Sequence, residues 1–78
     1  MAVYLVAHKE VETSDRVRYG LYNAVEERIG ELVFDPVSGF IVHDDDDRPV
    51  VGFVGIAARL VVAHQETGVT PATIVHAA

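Results

Sequence analysis

The sequence predicts an α+β fold whose elements follow the order β-α-β-β-α-β. Three observations favour this order. Short runs of β-forming residues lie near both ends and in the middle of the chain, apolar residues after the first run recur at helical spacing, and a long apolar stretch ends in a glycine. The chain has 78 residues and 50% hydrophobic residues, which suffices for one domain, residues 1–78, with a modest core.

The first strand is predicted at residues 3–7, and the more polar residues 8–12 could extend it. A helix is predicted next, over residues 14–30. Ser14 is a favoured N-cap and Gly30 a favoured stop. Gly20 lowers helix propensity by about 1 kcal/mol relative to alanine without disrupting the period. The apolar residues at helical spacing are Val17, Leu21, Ala24, Val25 and Ile29.

A hairpin and a final strand complete the predicted sheet. Residues 31–35 and 40–43 are rich in β-formers, and the sequence Asp35-Pro36-Val37-Ser38-Gly39 between them has strong turn chemistry. Residues 72–76 are predicted as the last strand. A short C-terminal helix, capped by Thr70 and beginning at Pro71, is the alternative for that segment.

Residues 48–68 are predicted to form the second helix. Asp47 can cap it, Pro49 suits its first turn, and Gly68 is a good stop signal. Two strands at residues 50–54 and 60–63 are the alternative, because these runs are β-branched and glycines interrupt them. With this helix, the order of elements is the ferredoxin-like, or split βαβ, arrangement, with two helices on one face of an antiparallel sheet.

The predicted elements are more apolar than one small domain requires. The second helix is apolar on most sides, and the strands are apolar at both parities, as Leu5 and Val6 illustrate. One sheet covers one side of a helix, so we expect a second subunit or a partner to cover the remainder. A homodimer is the simplest such assembly.

The charge of the chain is negative and unevenly distributed. Its 12 acidic and six basic residues give a net charge of −6, and residues 26–47 hold eight acids with Arg28 as their one base. Direct nucleic-acid binding needs clustered lysine and arginine and is disfavoured. A basic protein partner, with which an acidic surface associates faster, is better supported, and simple solubility is the alternative role of the charge.

The residue types exclude several other classes of protein. The absence of cysteine rules out disulfides, thiolate metal sites and a cysteine nucleophile, and fits a cytoplasmic location. The first residues lack the basic start and long apolar run of a signal peptide. Arg59 interrupts the longest apolar stretch, so we expect no membrane span.

One group of residues could bind a metal ion. In the predicted sheet His8 and His43 end two central parallel strands, and aspartates follow His43 directly. Imidazole and carboxylate groups are suitable ligands for a divalent metal, with His8, His43, Asp44 and Asp46 as the candidates. The simpler interpretation is that the histidines are polar strand ends and the aspartates cap the following helix.

These observations predict a non-enzymatic, acidic binding domain that acts by protein–protein contact and needs no cofactor. It would form a homodimer, or act as an inhibitor or immunity-type protein that covers a basic surface. The predicted contact residues are Tyr19, Tyr22, Glu26, Glu27, Asp44, Asp45, Asp46 and Asp47. A metal-binding protein or metal-dependent enzyme is the alternative, and a dimer that binds a small molecule is a third candidate.

Overall fold

The structure is a computed structural model that describes residues 4–42 and 51–77. Within those residues the chain forms five strands and one helix. The elements are β1 (Tyr4–Glu12), β2 (Val17–Tyr22), β3 (Arg28–Asp35), β4 (Phe40–Val42), α1 (Phe53–Thr67) and β5 (Thr73–Ala77). The domain is therefore mostly β.

The strands form one curled antiparallel sheet in the order β4-β3-β2-β1-β5. The first four strands are a meander, in which each strand pairs with the next along the chain. The chain then returns through α1 and adds β5 antiparallel to β1, at the opposite edge from β4. This connection lets a single helix cover one face of the sheet, which we call the inner face.

The predicted ferredoxin-like fold with two helices is wrong. Residues 14–30, predicted as the first helix, contain β2, a tight turn and the start of β3. Val17 and Leu21 are four residues apart, a spacing that suits one face of a helix and equally one face of a strand. Tyr19 lies between them and is also buried, so the true period is two.

Gly20 leaves room for an ion pair on the outer face of β2. It lies on the outer face, directly beneath the carboxylate of Glu10, where an added Cβ atom would collide with that group. The missing side chain leaves room for Glu10 to meet Arg28 from β3. The glycine that we interpreted as a tolerated defect in a helix is instead a strand residue over which an ion pair closes.

The remaining predicted elements are largely confirmed. The hairpin turn is held by Asp35, whose Oδ1 accepts hydrogen bonds from the amides of Val37 at 2.9 Å and Ser38 at 3.3 Å. The long stretch forms α1 rather than two strands, and Gly68 ends it with φ 73°. The C-terminal segment forms β5 rather than a helix. The predicted start of this helix is wrong, because α1 begins at Phe53 with Gly52 as its N-cap. The predicted cap Asp47 and first-turn residue Pro49 themselves lie outside the described residues.

The core lies between the inner face and α1. Tyr19 and Phe34 are its largest fully buried side chains, and α1 contributes Ile56 and Leu60. The other members of the cluster are Leu5, Ala7, Val17, Leu21, Leu32 and Ile74. Among the described residues, no helix packs on the outer face, so the side chains of opposite parity there are open to contact.

Candidate functional site

An open groove of about 620 Å³ lies on the outer face of the sheet. Its floor comes from β1, one wall from β5, and the other wall from the end of β2 and the turn that follows. The lining residues are Tyr4, Val6, His8, Tyr22, Asn23, Ala24, Glu26, Thr73 and Val75. A groove with an apolar floor and a few polar groups is a common form of binding site.

Strand geometry brings the floor and walls together. Residues 4, 6 and 8 alternate along β1 and therefore point to the same side of the sheet. The register pairs Val6 with Val75 on one side and with Tyr22 on the other, so β5 and β2 both contribute to the same surface. The groove thus depends on β1 being a central strand with neighbours at both edges.

Polar contacts fix two of the groove's aromatic rings. The rings of His8 and Tyr22 meet edge to face, with centroids 5.2 Å apart. His8 Nδ1 lies 3.3 Å from Thr73 Oγ1, and the Tyr22 hydroxyl donates a hydrogen bond of 3.2 Å to Glu10 Oε2. These contacts hold the rings in a fixed orientation, which lowers the entropic cost of binding against them.

The β2–β3 turn places a carboxylate at the groove. Asn23 Oδ1 accepts hydrogen bonds from the amides of Val25 at 3.1 Å and Glu27 at 2.9 Å, which closes the turn. Glu26 adopts a left-handed backbone conformation with φ 64°, a region that favours glycine or asparagine. Holding a glutamate there costs on the order of 1 kcal/mol. The turn therefore places an acidic side chain where local stability favours glycine.

A cluster of ionic side chains borders the groove, and its positive and negative charges balance. Arg28 donates hydrogen bonds to both Glu10 oxygens, through Nε at 3.1 Å and Nη2 at 2.9 Å. This contact lowers the pKa of Glu10 and raises the pKa of Arg28. Arg18 Nε lies 3.8 Å from Glu10 and 3.9 Å from Glu31. Two arginines thus face two glutamates, whereas Glu26 has no ion pair among the described residues.

The proposed metal ligands are not assembled as the sequence suggested. His43, Asp44 and Asp46 lie outside the described residues, and His8 lines the groove. The premise that the predicted strands at residues 3–7 and 40–43 are parallel neighbours is wrong. They correspond to β1 and β4, which β2 and β3 separate, and every pairing among the described strands is antiparallel. Within residues 4–42 and 51–77, no three potential metal-binding side chains form a group.

The predicted contact residues have different positions. Tyr22 and Glu26 line the groove, and Glu27 is exposed beside it, accepting a hydrogen bond of 3.3 Å from the Asn23 side chain. Tyr19 is fully buried, so it has no exposed surface with which to meet a partner. Asp44, Asp45, Asp46 and Asp47 lie outside the described residues.

Tyr19 has a structural role instead. Its hydroxyl donates a hydrogen bond of 2.6 Å to the carbonyl of Pro71, which ties the loop before β5 to the sheet. Burial raises its pKa to about 12. Lys9 holds the same loop, donating to the Thr70 carbonyl at 2.9 Å and to Glu12 at 3.1 Å. These contacts position β5, and with it one wall of the groove.

Sequence reasoning missed several residues of the groove. Tyr4, Val6, Thr73 and Val75 were assigned only to strands, because both parities of β1 are apolar and nothing local says which one faces a helix. The alternation at residues 4, 6 and 8 was visible in the sequence. It became informative when the position of α1 showed that Leu5 and Ala7 point inward.

A second open surface lies on the solvent side of α1. Val54, Ala58 and Val62 recur at intervals of four residues and form an apolar row, flanked by Arg59 and Glu66. Val54 is 77% exposed and Val62 is 49% exposed. Within the described residues, no helix has the length and apolar character needed to cross a membrane.

No family model matches the chain, and neither the curated proteins nor the solved structures include a match to it.

Proposed function

We propose that the chain is a non-enzymatic acidic binding domain that acts by contact with a basic polypeptide surface. The observation that carries this proposal is the groove on the outer face. Open aromatic and aliphatic side chains there lie beside the carboxylate of Glu26, which has no ion pair among the described residues. The surface combines apolar area, which contributes affinity, with negative charge, which favours a positively charged partner.

The overall charge supports the same kind of partner. The net charge of −6 comes largely from residues 26–47, a segment that begins at the edge of the groove. Charge of one sign steers a partner of opposite sign and raises the association rate, and this effect weakens as ionic strength rises. Among the described residues, neither lysine nor arginine lines the groove, so no such cation there opposes that steering.

Peptide arrays test the proposal directly. Three sets of synthetic peptides, equal in length and apolar content, would carry positive, neutral or negative net charge. We expect the purified chain to bind the positive set at low salt, and less strongly at physiological salt. Equal binding to all three sets, or to none of them, would contradict the proposal.

Self-association through α1 is a second candidate, favoured by the apolar row Val54, Ala58 and Val62. A row of this kind on a solvent-facing helix side suits an antiparallel helix pair about a twofold axis. The small Ala58 at its centre lets two helices approach closely. This contact uses the face opposite the groove, so a dimer formed in this way leaves both grooves open.

Light scattering after size-exclusion chromatography tests the dimer. Val54→Lys places a charge in the row, and Val37→Lys is a matched control, since Val54 is 77% and Val37 78% exposed. We expect a wild-type dimer that Val54→Lys converts to a monomer and that Val37→Lys preserves. A wild-type monomer at all concentrations would exclude this candidate.

A further inference from the structure

We propose that the groove binds an arginine side chain presented by an extended segment of a basic partner, an inference that rests on the function proposed above. It identifies the chemical group that the groove recognises. Three features of the groove point to this group: its aromatic lining, the charge balance around Glu26 and its dimensions.

The aromatic lining suits a planar cation. Tyr4, His8 and Tyr22 contribute rings to one groove, and the edge-to-face contact of His8 with Tyr22 fixes two of them. A guanidinium stacks on such rings and is more weakly hydrated than an ammonium, so it loses less on entering a partly closed site. Tyr4 is 47% exposed, which leaves its ring accessible.

The charges around the groove favour a cation over an anion or a neutral group. Glu10 and Glu31 are engaged by Arg18 and Arg28, so this ionic cluster contributes little net charge. Glu26 remains at the rim, with no ion pair among the described residues. A carboxylate can accept two parallel N–H bonds from a guanidinium, a geometry that an ammonium cannot reproduce.

The dimensions of the groove call for more than one side chain. Its volume of about 620 Å³ exceeds that of an arginine side chain, and it follows β1 from Tyr4 to His8. That length is roughly 14 Å, or about four residues of an extended chain. Val6 and Val75 on the floor and wall provide apolar surface for the residues that flank the arginine.

Binding to matched peptides tests the inference without altering the protein. Calorimetry at low salt measures the affinity for a short peptide with one arginine between apolar residues. The same peptide with lysine or citrulline in place of that arginine is measured for comparison. Citrulline keeps the shape of arginine and removes its charge. We expect the arginine peptide to bind at least about tenfold more tightly than the citrulline peptide. Equal affinity for these two peptides would overturn the inference.

Variants of the protein locate the contact. Glu26→Gln should lower the affinity for the arginine peptide about fivefold to tenfold, and Tyr22→Leu should lower it about threefold. Glu66→Gln is the matched control, because it removes the same charge from α1, on the other side of the molecule, and should leave the affinity unchanged. An equal loss from Glu26→Gln and Glu66→Gln would show that net charge alone governs binding, and would overturn the inference.

The two proposals fail in different ways. If basic peptides bind but neither Glu26→Gln nor Tyr22→Leu changes their affinity, the groove is not the site and the arginine inference is wrong. Contact with a basic partner would then be supported by the overall charge alone. If no basic peptide binds, both proposals are wrong. Amide chemical shifts give a further check, since the arginine peptide should perturb Val6 and Val75 and leave Val62 on α1 unperturbed.

Discussion

The two faces of the sheet are made from alternate residues of the same strands, yet they differ in almost every physical respect. On the inner face Leu5, Tyr19 and Phe34 are fully buried against α1. On the outer face Tyr4 is 47% and Val75 45% exposed, and charged side chains pair across the strands. The inner face provides stability, and the outer face is free to take part in binding.

This difference shows how little apolar content alone distinguishes a core from a contact surface. Both faces carry valine and tyrosine, and both have cross-strand neighbours. What separates them is the helix, which covers one parity with Ile56 and Leu60. Substitutions at Leu60, Tyr19 and Glu26 test that contrast.

Leu60→Ala should lower the free energy of unfolding by about 2–5 kcal/mol, because it leaves a cavity between α1 and the inner face. For a domain of this size that is a large share of the total stability. Val62→Ala, on the same helix but 49% exposed, is the control and should cost less than about 1 kcal/mol. Urea unfolding measures both. Equal losses would mean that α1 is not docked through Leu60.

Tyr19→Phe should remove about 1 kcal/mol at neutral pH, because the carbonyl of Pro71 loses its hydrogen-bond donor. The wild type should also lose stability in alkali. Burial raises the pKa of Tyr19 to about 12, so its contribution is complete below pH about 10, the unfolded value, and is lost as the pH rises toward 12.

The size of this alkaline loss is about 1–3 kcal/mol, and Tyr19→Phe should reduce it. Thermal unfolding followed by circular dichroism between neutral and alkaline pH measures the effect. Tyr4→Phe, a change at an exposed ring, is the control and should keep the wild-type profile. An identical alkaline profile for wild type and Tyr19→Phe would count against the buried position of this hydroxyl.

Glu26→Gly should stabilise the fold, by up to about 1 kcal/mol, because glycine adopts the left-handed conformation at φ 64° without strain. Glu27→Gly is the matched control. Its backbone is not left-handed, so the same substitution should be neutral or destabilising. A gain in stability from both substitutions, or from neither, would show that the turn carries no strain at Glu26.

The errors of sequence interpretation have specific causes. Val17 and Leu21 satisfy a helical and a strand period together, and the buried Tyr19 between them decides for the strand. Tyr19 and Tyr22 both belong to the first predicted helix, where each is a predicted contact residue. Both lie in β2, and strand residues three positions apart point to opposite faces. Tyr19 therefore enters the core and Tyr22 reaches the groove. One wrong period therefore misplaced a candidate site residue.

Features that depend on neighbouring residues could be predicted from the sequence alone. The Asp35 turn, the stop at Gly68 and the helical state of residues 53–67 all follow from local hydrogen bonding and backbone preference. The secondary structure of residues 14–30, and which set of alternate β1 residues faces outward, depend on tertiary contacts. Strand β2 receives its hydrogen bonds from β1 and β3 on either side, and α1 selects the inner face from a distant part of the chain. Long-range pairing and packing, rather than local propensity, therefore created the groove.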